Sequence, residues 1–279
     1  MSIQAKDVAK LREMTGAGMM DCKKALGEAN GDFEKAVEIL RKKGQQVSEK
    51  RADREANQGV VLIKLSDDKK KAAAIELNCE TDFVARNEDF QAKAQSFLDA
   101  AYEHETGTLD AVLALHVHGL SIADHLKEMV GSIGEKIEIA RVELIKTSGT
   151  LVEYIHPGNQ LGVIVEFDGD LTNSEAGKDV AMQVAAMKPI AVTQDGVDAS
   201  VVEKELEIAK EQLINEGKPA DIAEKAAQGK LRRFYEERVL LDQKFVKENS
   251  LSVREFLKQN NAPLVKAFWR IQLGESKTA

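Results

Sequence analysis

Cysteine is scarce in this chain of 279 residues. The only two, Cys22 and Cys79, stand far apart and belong to no Cys-x-x-Cys pair, so a disulfide framework and a zinc knuckle are both disfavoured and a reducing cytoplasm fits best. An excess of cations is lacking too. Lys plus Arg number 39 against 47 Asp plus Glu, for a net charge of −8; nucleic-acid binding rests on clustered cations, so no direct nucleic-acid partner is expected. No apolar run approaches the roughly 18 residues of a membrane-spanning helix. The start, MSIQAKD, lacks the apolar centre of a signal peptide, so neither a membrane nor export is indicated. Enzyme signatures are missing as well: there is no Gly-x-Ser-x-Gly, no His-Glu-x-x-His, no P-loop lysine and no Gly-x-Gly-x-x-Gly after a strand. What is present is apolar residue in quantity, at 43%, ample for one large domain or two to three smaller ones.

Apolar periodicity divides the chain. Residues 1–44 carry three short amphipathic stripes: Ala5, Val8 and Leu11; then Met19, Cys22 and Leu26; then Phe33, Val37 and Leu40. Breakers at Thr15-Gly16-Ala17-Gly18 and Asn30-Gly31 separate them, and Asp32 is placed to cap the third. Stripes this short can be buried only against one another, which predicts a three-helix bundle. Residues 45–58 read as a polar linker, extended or partly helical. A β-hairpin follows, 60–63 and 72–77 across the polar turn 66–71, then helices over 88–103, 109–115 and 121–133 and a strand over 137–145. The same order restarts with 151–155, the turn Pro157-Gly158-Asn159, a strand over 161–167, helices, and a strand over 265–273. This is an internal duplication of architecture. It predicts an α+β fold of two packed antiparallel sheets faced by helices, with subdomains over 59–147 and over 148–199 plus 229–279. Residues 200–228 read as an insertion. Val202, Leu206, Ala209 and Leu213 form a coiled-coil seam, and a return helix over 221–233 offers Ile222, Ala226 and Gly229. Either this is a protruding hairpin, or both helices lie on the sheet.

Few residues invite chemistry. Thr15-Gly16-Ala17-Gly18 lies between helices and lacks the strand that aims a phosphate loop, so it reads as a turn. His116, His118 and His125 have no acidic or cysteine partner at ligand spacing and read as solvated or capping residues, so no metal site and no cofactor are expected. Lys69 to Lys71 read as a solvated turn. His156 is a turn residue or a contact. The stretch NCETDFVARNEDF, residues 78–90, is the unusual one, because a buried strand runs directly into an acid and an aromatic. Asp82 is then a helix cap and Phe83 a core or staple residue, or the pair is a probe carried on a rigid strand end toward a partner.

Two stretches, LREMTGAGMMDCKKAL at 11–26 and ELNCETDFVAR at 76–86, closely resemble the signature segments of the bacterial elongation factor Ts family, and the resemblance extends over essentially the whole chain. It implies an N-terminal three-helix bundle like a ubiquitin-associated (UBA) domain, a duplicated antiparallel-sheet and helix core, and an inserted helical coiled-coil hairpin. It implies guanine-nucleotide exchange on elongation factor Tu, bound in its GDP form and nucleotide-free, during translation elongation, without covalent chemistry. The resemblance places Thr81, Asp82, Phe83 and Val84 at the contact that dislodges the partner's magnesium ion, Arg12, Met19 and Met20 against its GTPase domain, and His156 against its other domains. If Met19, Cys22 and Leu26 face the bundle core, Met20 is turned roughly 100° away and is free for a partner. A homodimer and a 2:2 complex both fit. The chain ends at residues 274–279, just past the last expected strand, whereas some members carry a further helical module; contacts of that module are not carried over. Two other classes stay open beside this one, an adaptor whose bundle binds a different protein and, more distantly, a metal-dependent enzyme using the histidines.

Overall fold

A computed structural model describes residues 3–275; residues 1–2, and 276–279 of the tail read above, lie outside the described residues. The three stripes fold into α1 (Ala5–Thr15), α2 (Met19–Glu28) and α3 (Phe33–Arg51). Gly16 ends α1 in the left-handed region, φ 67°, with its N–H donating to the Arg12 carbonyl at 2.7 Å. The Asp32 carboxylate caps α3 by accepting the Lys35 N–H at 3.1 Å. Leu11, Cys22, Ala25, Leu26 and Ala36 are buried at the centre. Met19 is not among them. It is 58% exposed, because Cys22, Ala25 and Leu26 carry the buried stripe and Met19, the first residue of α2, lies beyond the facing helices. α3 runs on to Arg51, seven residues into the stretch read as a linker.

Next come β1 (Gln58–Leu65) and β2 (Lys71–Cys79), then α4 (Asp82–Ala85), α5 (Glu88–Glu103), α6 (Leu109–Ala114), the small hairpin β3 (His116–Val117) and β4 (Leu120–Ser121), α7 (Ile122–Ile133) and β5 (Ile137–Lys146). The strands form one antiparallel sheet in the order β1-β2-β5. β2 is covered on both faces, with Ala73, Ile75, Leu77 and Cys79 packed among residues of α5, α6 and α7 and Ala72 and Ala74 on the opposite side. Burial on both faces is why this strand reads as a nearly continuous apolar run.

The second half supplies β6 (Thr150–Ile155), β7 (Leu161–Phe167), α8 (Ser174–Met187), α9 (Ala199–Asn215), α10 (Ala220–Arg238), β8 (Lys244–Phe245), β9 (Glu248–Ser252), α11 (Val253–Gln259) and β10 (Val265–Gln272). β6, β7 and β10 form a second antiparallel sheet, with β7 central as β2 is in the first. Val61, Ala72, Ala74 and Ile145 of one sheet pack against Leu151, Ile164 and Ile271 of the other. Val163, Val165 and Phe167 turn to the outer side, where Val180, Val184 and Leu257 of α8 and α11 cover them. The layers therefore run helix, sheet, sheet, helix. β3–β4, β8–β9 and α11 were not read from sequence, although Ser252 and Glu255 form a capping box, which is a legible helix signal.

α9 and α10 pair with each other. Ala209, Leu213, Ala223 and Ala227 form a buried cluster separate from those of the sheets, and Lys210 and Glu224 bridge the pair at 2.8 Å. On α9 Leu206, Ala209 and Leu213 belong to this cluster, but Val202, read in the same seam, packs instead with Ala191, Val197 and Val239; on α10 the buried residues are Ala223 and Ala227, while Ile222 and Gly229 are exposed. α3 crosses α7 where Gly44 meets Gly131: a Cβ on Gly131 would stand 2.6 Å from the Gly44 Cα. Arg41 and Glu128 bridge the same crossing at 3.0 Å. Among the described residues no helix is long and apolar enough to cross a membrane.

Candidate partner-binding site

The turn from β2 into α4 is built from charged side chains that satisfy backbone. Thr81 caps α4, its hydroxyl accepting the Val84 N–H at 3.5 Å. The Thr81 N–H and hydroxyl in turn donate to the two oxygens of Glu135, at 3.0 and 2.7 Å. The Glu80 carboxylate accepts the Lys136 N–H at 2.6 Å and Nη1 of Arg51 at 2.7 Å. The Lys136 N–H foremost, with Arg51, holds the Glu80 carboxyl below its ordinary range. Hydrogen bonds to ionised groups contribute about 1.5–3 kcal/mol each, enough to fix a single helical turn that would not persist alone. The Cys79 thiol donates to the Thr81 carbonyl at 3.1 Å, and burial pushes it up to about 12, so it is a packing residue and no ready nucleophile.

On this base Phe83 is 81% exposed. Val84 leans on the core beneath, and Asp82 pairs with Arg86 at 3.0 Å. The reading of Asp82 as a cap and Phe83 as core or staple is therefore not what the structure has: Thr81 is the cap of α4, and Asn87 caps α5. A four-residue helix buries only its inner side, taken by Val84 and Ala85, which leaves Phe83 in water. Burying a Phe is worth about 1.5–3 kcal/mol that this position forgoes.

The second predicted group surrounds the turn between α1 and α2. The Thr15 hydroxyl donates to the Leu11 carbonyl at 2.7 Å and accepts the Ala17 N–H at 3.3 Å, so the Gly-Ala-Gly segment is a tied turn. Met20 is 75% exposed, and Met19, Arg12 and Met14 are exposed beside it; Met14 escaped the sequence reading. Thr15 and Ala17 line a small cleft with Gly131 and Ser132 of α7. α7 ends at Gly134, φ 81°, a left-handed residue that turns the chain into Glu135 and Lys136. Both groups thus adjoin the C-terminal end of α7.

His156 stands apart at the turn between β6 and β7. It is exposed, and its Nδ1 lies 3.0 Å from the Tyr154 hydroxyl. No hydrogen bond or ion pair joins it to either group among the described residues. The turn itself is anchored, because the Val61 N–H of β1 donates to the Asn159 carbonyl at 2.7 Å. Of the other histidines, His116 and His118 are exposed, but His125 is buried rather than solvated. Its Nε2 donates to the Val117 carbonyl at 2.7 Å and its ring packs on Phe97, holding β3–β4 against α5. Among the described residues no three His, Cys, Asp or Glu are grouped so as to hold a metal ion.

The model of the family described as "Elongation factor TS" matches residues 80–275. Elongation factor Ts of Amoebophilus asiaticus is 46% identical over 277 residues, covering 98% of this chain and 100% of the relative. The chain belongs to the elongation factor Ts family. Elongation factor Ts of Prosthecochloris aestuarii is 46% identical over 284 residues, covering 98% and 99% of the two chains, and that of Porphyromonas gingivalis 45% over 258 residues, covering 92% and 93%. The elongation factor Ts family match takes in Thr81 to Val84 and His156. Arg12, Met19 and Met20 precede it and fall within the span shared with the whole-length relatives.

Proposed function

We propose that this chain is a guanine-nucleotide exchange factor for elongation factor Tu in translation elongation. Family membership supports the process and the partner, and the observation that carries the reading is Phe83, 81% exposed on a single turn pinned to the end of a buried strand. Phe83 and Asp82 are the side chains that enter the partner's nucleotide site and disturb its magnesium ion and phosphate surroundings, with Thr81 and Val84 completing that contact. Arg12, Met19 and Met20 meet the GTPase domain; adaptable methionines suit such a surface. His156 meets the remaining domains. Residues 1–44 then act as a UBA-like docking bundle, residues 45–58 as the connection to the core, and residues 200–228 as a coiled-coil hairpin inserted in the second half of the duplicated core. The factor engages the GDP-bound and nucleotide-free partner, alone, as a homodimer, or in a 2:2 complex.

The mechanism is linkage. A factor that weakens nucleotide binding must itself be weakened by nucleotide to the same extent, and each tenfold step corresponds to roughly 1.4 kcal/mol. No covalent bond has to form or break. Release of fluorescently labelled GDP from purified elongation factor Tu tests the proposal. Release should accelerate with increasing concentration of this protein, and an unchanged rate would overturn it.

A further inference from the structure

Thr81 has its polar atoms fully engaged within the protein. Its N–H and hydroxyl donate to Glu135, the hydroxyl also caps Val84, and its carbonyl accepts the Ala85 N–H at 3.2 Å and the Cys79 thiol. One residue earlier the pattern is mirrored: Glu80 accepts the N–H of Lys136, the residue after Glu135. The ladder between β2 and β5 stops at Cys79 opposite Ile137. Beyond it, two carboxylates take over, each satisfying a backbone amide of the segment that carries the other. Arg51 extends the same bonding to α3.

We infer that Glu135 is a positioning residue for exchange. It holds Thr81–Val84 in the partner-ready conformation before association, and it acts through that turn rather than by touching the partner. The inference rests on the exchange-factor reading. A turn ordered in advance loses little conformational freedom when it docks, so loss of Glu135 falls mainly on the concentration needed for half-maximal exchange and little on the maximal rate.

The test compares the full-length wild type with Glu135→Ala, Glu135→Gln, Phe83→Ala and the double variant Glu135→Ala/Phe83→Ala. Labelled GDP release is followed against factor concentration, and amide hydrogen exchange is measured on the free proteins. Glu135→Ala should lower the second-order rate constant about tenfold. Glu135→Gln should recover most of it, since its amide oxygen still accepts the Thr81 N–H and its NH2 can donate to the hydroxyl. The double variant should be slowed by less than the product of the two single losses, because residues acting through one contact are not additive. In the free protein the Thr81 amide should exchange at least tenfold faster in Glu135→Ala, with the amides of Ala73 to Leu77 unchanged. Should Glu135→Ala fail to fold, Glu135→Asp, whose shorter side chain draws the carboxylate back from Thr81, should give a smaller change in the same direction in both GDP release and the Thr81 amide. Wild-type GDP release by Glu135→Ala, multiplicative losses in the double variant, or an unaltered Thr81 amide would each overturn the inference. If the wild type does not release GDP, the exchange-factor reading fails by itself, and the Thr81 amide still decides whether Glu135 orders the turn.

Discussion

Phe83 separates stability from function more cleanly than any other residue here. A buried phenylalanine cut to alanine costs about 3–5 kcal/mol, whereas a side chain already 81% in water should cost within about 0.5 kcal/mol. Phe83→Ala should therefore melt within about 1–2 °C of the wild type and yet slow GDP release. Asp82→Ala loses one surface ion pair with Arg86, worth about 0.3–0.5 kcal/mol, and its exchange defect should grow when magnesium is abundant. A large drop in melting temperature for Phe83→Ala with normal exchange would return the residue to a packing role. Glu153 offers the opposite test. Its Oε2 is buried without a hydrogen-bond partner among the described residues, and burial raises its carboxyl above the ordinary 4.5. A carboxyl raised in the folded state favours folding in its protonated form, so its contribution is full below 4.5 and is lost as pH rises through the folded value. Glu153→Gln should melt higher than the wild type at pH 8, with the difference vanishing near pH 4; thermal melts at the two pH values check the sign.

Among the elements, the pair α9 and α10 is the most independent. Among the described residues its inner cluster contains only its own, while its root is different: Val202, Phe234 and Tyr235 pack with Ala191, Val197 and Val239. Replacing residues 206–230 with a short Gly/Ser linker should therefore leave the main thermal transition in place and retain part of the exchange activity. Loss of all activity in a folded variant would show that the hairpin belongs to the essential contact. The seam of α9 was legible because Leu206, Ala209 and Leu213 contrast with charged neighbours, although Val202, read with them, packs at the root instead. That of α10 was less so, since Ala223, Ala226 and Ala227 present little amphipathic contrast and the large apolar residue beside them, Ile222, faces water.

At the scale of the molecule, the crossing of α3 and α7 sets how the bundle carrying Met19 and Met20 sits relative to the turn carrying Phe83. Helix propensity alone favours alanine over glycine by about 0.8–1.0 kcal/mol. At Gly131 the added Cβ would stand 2.6 Å from the Gly44 Cα, and overpacking of that kind costs about 1–3 kcal/mol, so the clash outweighs the gain. Gly131→Ala should lower the melting temperature by several degrees and reduce GDP release in the fraction still folded. A melting temperature above the wild type, read by calorimetry, would mean that propensity dominates and that the helices do not meet at this distance.

The sequence by itself determined the three N-terminal helices, the two hairpins with their returning strands, and the position of Thr81–Val84 at a strand end. Each follows from periodicity and breakers within a few residues. It did not determine that Phe83 is outside and Thr81 is the cap, that Met19 leaves the bundle core, or that His125 is buried. Nor did it single out Glu135, 54 residues from Thr81. A local pattern states which face of an element is apolar, but it cannot name the partner of a polar atom or the neighbour of a glycine. Those depend on β5 pairing beside β2 and on α3 lying against α7, contacts that exist only once the chain has closed on itself.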